Sequence, residues 1–145
     1  FNYRMTNLQA AIGLAQTERL DEIVASRRRL RGWYEERLRP IRGLDLPTEQ
    51  PGYKNVFWMY GVRVHESFGL TAHQLRTELA ARGIETRSFF IPIHLQPIYF
   101  DEFRDQRFPA AEEICRGGFY LPTNEGLNEQ DVDWIVRQID EIHRR

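Results

Sequence analysis

The strongest constraint on this chain is a helical pattern that runs without a proline from Thr6 to Leu38. Thr6 and Gln9 have the spacing of a capping box, in which each side chain satisfies an orphan amide of the first turn, so a helix is expected to begin there. Leu8, Ile12, Ala15, Leu20, Ile23, Val24, Leu30, Trp33, Tyr34 and Leu38 follow at a roughly helical period, and Pro40 ends the run. The expected helix is about 34 residues, or roughly 50 Å, longer than a small domain is wide. Such a helix bridges two bodies or packs along a partner, and Gly13 and Gly32 are the places where it could bend. The run Arg27 to Arg31, broken only by Leu30 and flanked by acids, reads as a solvated helix face.

The remainder is shorter in period. Gly43, Pro47, Pro51 and Gly52 make 41–53 a connecting loop. Val56 to Val64 is a near-continuous apolar and aromatic run and predicts a central strand. Thr71 and Gln74 repeat the capping-box spacing ahead of a helix that Gly83 closes, and a second strand is expected over Ile84 to Phe90. The segment 91–107, with two prolines and several aromatics, reads as a functional loop. Pro109 suits the first turn of a short helix closed by Gly117 and Gly118, Phe119 to Leu121 is a short strand, and Asn128 caps a last helix. There Val132, Ile135, Val136, Ile139 and Ile142 form one stripe. The order predicts an α+β fold: a long N-terminal helix followed by a small sheet covered by helices. We divide it into a linking helix with its N-terminal segment, 1–40, and a small C-terminal domain, 41–145.

Composition enters as exclusion. A net charge of −1 argues against a nucleic-acid surface, and no apolar run reaches the roughly 20 residues needed to cross a bilayer. Cys115 is the single cysteine, which fits a reducing, cytoplasmic setting; on its amphipathic helix it reads as a buried thiol. The four histidines do not fall at metal-ligand spacing, so no metal site is expected. The chain opens on Phe-Asn-Tyr-Arg-Met without a signal peptide, and the missing initiator methionine leads us to expect that it begins inside a longer protein. Nineteen of the 20 basic residues are arginine, so Lys54 is the one candidate for any Schiff-base chemistry.

Two stretches carry more polar chemistry than their structural task requires. Phe1 to Asn7 precedes a helix N-terminus, where free amides, Asn2 and Arg4 could hold an anion; the alternative is a plain capping segment with a surface arginine. Arg87 to Tyr99 sets Arg87, His94, Gln96 and Tyr99 among aromatics at a strand end, as a small-molecule pocket needs. A satisfied structural histidine is the alternative for His94.

The segment Asn-Tyr-Arg-Met-Thr-Asn-Leu-Gln-Ala-Ala-Ile-Gly-Leu-Ala-Gln at 2–16 resembles the signature opening the small-domain side of pyridoxal-phosphate-dependent nucleotide-sugar aminotransferases of the DegT/DnrJ/StrS type. Asn55 to Tyr60, Arg82 to Arg87, Pro92 to Pro97 and Leu121-Pro122 are similar to further blocks of that family in the same order, and Trp58-Met59-Tyr60 resembles its perosamine synthetase branch. Ser88 departs from a proline common in the family. The resemblance implies that Asn2 reaches the cofactor phosphate of the other subunit of a homodimer and that Arg4 lies near it. It also implies that Phe89 to Gln96 lines the mouth of the nucleotide-sugar site, with Arg87, Phe90, His94 and Tyr99 as substrate contacts. The parent reaction implied is amino transfer from glutamate to a keto-deoxyhexose nucleotide. The resemblance further implies that the catalytic lysine belongs to the upstream domain and that the chain alone is inactive, and Lys54 is expected to be exposed. The rival expectation is a free-standing α+β binding or dimerisation module without catalysis.

Overall fold

In the computed structural model, which describes residues 3–145, six helices and a four-stranded antiparallel sheet form the expected α+β arrangement. Helices α1 (Asn7–Glu18) and α2 (Leu20–Leu38) replace the single long helix. The break falls at Arg19 (φ −103°, ψ 7°), at neither glycine. Just upstream, the Thr17 hydroxyl donates to the Gly13 carbonyl (2.8 Å), a competing side-chain bond that bends helices. Both predicted helix-start boxes are formed: Thr6 with Gln9, and Thr71 with Gln74.

The strands are β1 (Leu44–Asp45), β2 (Tyr60–Val64), β3 (Arg87–Ser88) and β4 (Gly118–Leu121), in the order β1-β2-β4-β3. Tyr60 lies opposite Leu121 and Val62 opposite Phe119. These four side chains are buried and, with α2, α3 (Ala72–Ala81) and α6 (Glu129–His143), build the core. The α6 stripe is buried as its period predicts. The alternate residues, Gly61, Arg63, Gly118 and Tyr120, face the other side. There the Phe89 ring and α5 (Pro109–Gly117) cover them. Two short 3₁₀ turns, Glu66–Phe68 and Ile93–Leu95, and α4 (Pro97–Phe103) complete the fold.

Five local expectations are corrected. The strand predicted from Val56 begins only at Tyr60, because Phe57 takes a left-handed backbone (φ 48°). That conformation is held by the Asn55 side chain, whose Oδ1 accepts the Phe57 N–H at 2.8 Å. The second strand shrinks to Arg87–Ser88, since β3 is an edge paired only with β4. The expected loop 91–107 contains α4, and the loop 41–53 contains β1. The arginine run is not a solvated face, because three of its four guanidinium groups have fixed tasks. Arg27 donates to the carbonyls of Thr123 and Trp58 (3.4 Å to the latter), and Arg28 grips Glu49 at 3.0 and 2.9 Å. Arg28 and Arg31 both stack on the buried Phe57 ring, 5.6 and 5.2 Å from its centre. Among the run, Arg29 alone is exposed.

Candidate functional site

The segment from Phe89 to Tyr99 leaves the sheet at the edge strand, and its direction is set by glycines. A Cβ on Gly61 or Gly118 would collide with the Phe89 ring, so the bare backbone of two neighbouring strands is what lets that ring lie flat on the sheet. Phe89 also packs on Tyr120 (4.5 Å between ring centres), and Phe90 reaches the same ring more loosely at 6.0 Å. Beyond it, the Gln96 side chain donates to the Ile91 carbonyl (3.1 Å) and closes the turn that carries His94.

His94 is the one polar or charged residue buried among the described residues, at 8% exposure. Its Nε2 stands 3.3 Å from Glu112 Oε1, and its ring lies 4.7 Å from that of Phe108. The same carboxylate oxygen accepts the Phe108 N–H at 3.2 Å, which ties the start of α5 to the His94 turn. That N–H, with His94 and Arg107 adding to it against some desolvation, holds the Glu112 carboxyl below its ordinary range, so it is ionised at neutral pH.

The four residues expected to contact substrate do not share one wall. Arg87 lines a cleft of about 540 Å³ between the β3–β4 edge and α6, together with Arg27, Trp58 and Trp134. Phe90 is exposed, Tyr99 is 41% exposed with its ring edge-on to Phe103, and neither they nor His94 line that cleft. Trp58 and Trp134 were missed as site residues. Trp134 stands off the apolar stripe of α6 and so was legible as an aromatic without a core position; Trp58 was absorbed into an expected strand.

At the other end, Arg4 is exposed ahead of α1, while Asn2 lies outside the described residues. The Thr6 side chain takes the Gln9 amide (3.3 Å), leaving those of Asn7 and Leu8 at the helix start to face an anion. These donors suit a phosphate group. Lys54 is exposed just beyond the Pro51-Gly52 turn and does not line the cleft that holds Arg87. Cys115 is half-buried on α5. Among the described residues no group of three or more His, Cys, Asp or Glu could hold a metal, and no helix is long and apolar enough to cross a membrane.

Comparison with known proteins gives a consistent picture. The profile of the DegT/DnrJ/EryC1/StrS aminotransferase family matches residues 1–140. A GDP-perosamine synthase of Caulobacter vibrioides is 43% identical over 143 residues, which are 98% of this chain and 38% of that protein. The structure of DesV from S. venezuelae superimposes with a TM-score of 0.88 at 28% identity, again over 98% of this chain and 38% of the other. An E. coli GDP-4-keto-6-deoxy-D-mannose-3-dehydratase, solved with bound hydrated PLP, shares the fold (TM-score 0.81, 18% identity, 96% of this chain and 36% of that one). The chain thus spans well under half the length of these relatives.

Proposed function

We propose, from the premise that this chain belongs to the DegT/DnrJ/EryC1/StrS aminotransferase family, that it forms the small-domain part of a sugar-nucleotide aminotransferase. The cofactor of that family is pyridoxal phosphate, which when bound supplies an electron sink for moving an amino group. In our reading the donor is glutamate, the acceptor is a keto-deoxyhexose nucleotide, and the setting is the cytoplasm. This chain's residues bind and orient. Asn2, Arg4 and the first amides of α1 hold the cofactor phosphate across a homodimer, and Arg87, Phe90, His94 and Tyr99 contact the nucleotide-sugar. None of them moves a proton.

The division into a linking helix, 1–40, and a small domain, 41–145, belongs to the same proposal. It is supported by α1, which buries none of its twelve residues although Leu8, Ile12 and Leu14 are apolar. Those exposed apolar side chains are suited to a second copy of the chain or to the rest of a longer polypeptide.

The observation that carries the reading is that Lys54, the single lysine, is exposed and does not line the cleft that holds Arg87. The 145-residue chain, mixed with pyridoxal phosphate, glutamate and a GDP-linked keto-deoxyhexose, should give no amino sugar. Turnover that disappears in Lys54→Met would refute the assignment. In a polypeptide carrying this chain with its lysine-bearing half, Asn2→Ala should weaken cofactor retention by about 1.5–3 kcal/mol, the value of a hydrogen bond to a charged group.

A further inference from the structure

Glu112 belongs to no stretch that the sequence marked as functional, yet it is the only side chain that bonds His94 in the described structure. We propose that Glu112 is a positioning residue for His94: by fixing Nε2 as a donor to its own carboxylate, it leaves Nδ1 as the one ring atom that can meet a nucleotide-linked sugar. The proposal rests on the assignment of His94 as a substrate contact and adds to it the atom involved and the group that selects it.

The chemistry runs in three steps. Glu112 is ionised, so it only accepts, and a partner within hydrogen-bond reach must bring the proton. His94 Nε2, 3.3 Å away, therefore carries a hydrogen whether the ring is neutral or charged, and one nitrogen is committed to the protein. The other makes no bond and is not fully sealed. Among the described residues the buried side-chain nitrogens and oxygens without a partner are Arg31 Nε and Tyr60 Oη, so Nδ1, which makes no hydrogen bond here, reaches solvent.

The orientation is over-determined. Glu112 is itself held by the Phe108 N–H, the Phe108 ring packs on the imidazole, and the Gln96–Ile91 bond closes the turn from the other side. A structural histidine needs burial and one partner. This one has a second nitrogen kept open beside a segment rich in exposed aromatic and aliphatic side chains, among them Phe90 and Tyr99. That is how a ligand-directed imidazole is prepared: its unused edge is fixed by a neighbour, and its working edge is left bare.

The test reads the ring directly. In the 145-residue chain labelled with ¹⁵N, long-range proton–nitrogen correlation should show His94 protonated at Nε2. In Glu112→Ala the two nitrogens should average between tautomers. Glu112→Gln, which retains an oxygen for the Phe108 N–H and so keeps α5 started, guards against loss of the fold. Binding of GDP-mannose is then measured in the polypeptide that carries this chain with the rest of the enzyme. His94→Ala and Glu112→Ala should each weaken it by about tenfold, equal to about 1.4 kcal/mol, and the double variant no further, because one acts through the other. Unchanged nitrogen signals in a folded Glu112→Ala, or losses that add in the double variant, would overturn the positioning role. A tautomer change without any binding defect in His94→Ala would instead refute the substrate contact and leave the Glu112–His94 linkage standing.

Discussion

The glycine-floored seat of Phe89 makes a quantitative prediction through Gly61→Ala. Gly61 has an ordinary strand backbone, so alanine meets no conformational strain, and removing a strand glycine is in itself worth roughly 0.5–1 kcal/mol. The obstacle is steric and comes from one ring. The new Cβ would stand 2.8 Å from Phe89 Cζ and 2.9 Å from its Cε1, whereas Tyr120 Cε1 at 3.5 Å is ordinary contact. Restoring about 3.5 Å requires the ring to move by roughly 0.7 Å. Overpacking of that kind costs about 1–3 kcal/mol, so Gly61→Ala should be destabilising by up to roughly 2.5 kcal/mol. In a Phe89→Ala background the ring is gone, and the same substitution should stabilise by about 0.4–1 kcal/mol. Urea unfolding of the four proteins closes a double-mutant cycle with an expected coupling of about 1–3 kcal/mol. A coupling within the additive limit of about 0.5 kcal/mol would show that Phe89 does not rest on Gly61.

Two further outcomes follow from other contacts. Arg27→Met leaves the carbonyls of Thr123 and Trp58 without their shared donor and should lower stability by about 1–3 kcal/mol while blue- or red-shifting Trp58 emission; an unchanged urea midpoint would show that the guanidinium is dispensable. Asp45 is partly desolvated, but His65 at 2.6 Å and Arg63 at 2.7 Å outweigh that and hold its carboxyl below the ordinary value. A carboxyl depressed in the folded state contributes stability that is complete above its unfolded value, about pH 4, and is lost as pH falls through the folded one. Asp45→Asn should therefore flatten the loss of stability below roughly pH 4, modestly because the side chain is half exposed, and identical acid limbs would refute the pairing.

What could be read from the sequence was whatever a local rule specifies. Thr6, Thr71 and Asn128 start helices because their side chains bind amides three residues on, and the α6 stripe is buried because its period leaves one apolar face. The illegible parts depend on distant partners. Nothing in Val56-Phe57-Trp58 announces that two arginines from α2 will clasp the Phe57 ring, and the strand starts only at Tyr60, beyond the left-handed Phe57 that Asn55 holds. Glu112 likewise looks like an ordinary helix-face acid until the fold brings it to His94, 18 residues away. The segment 89–99 was recognisable as chemically rich, but the separation of Arg87 from His94 was not, since each is placed by a distant partner, Arg87 by its register opposite Tyr120 and His94 by Glu112.

The break at Arg19 divides the N-terminal region into parts with different thermodynamic support. The second part shares the core, whereas the first, α1, is twelve residues long and has no covered side chain. Helices of that length do not persist in water on their own propensity. If this arm docks as proposed above, helix formation and docking would be coupled, and the ellipticity gained on assembly would gauge how much of the population has found its complement.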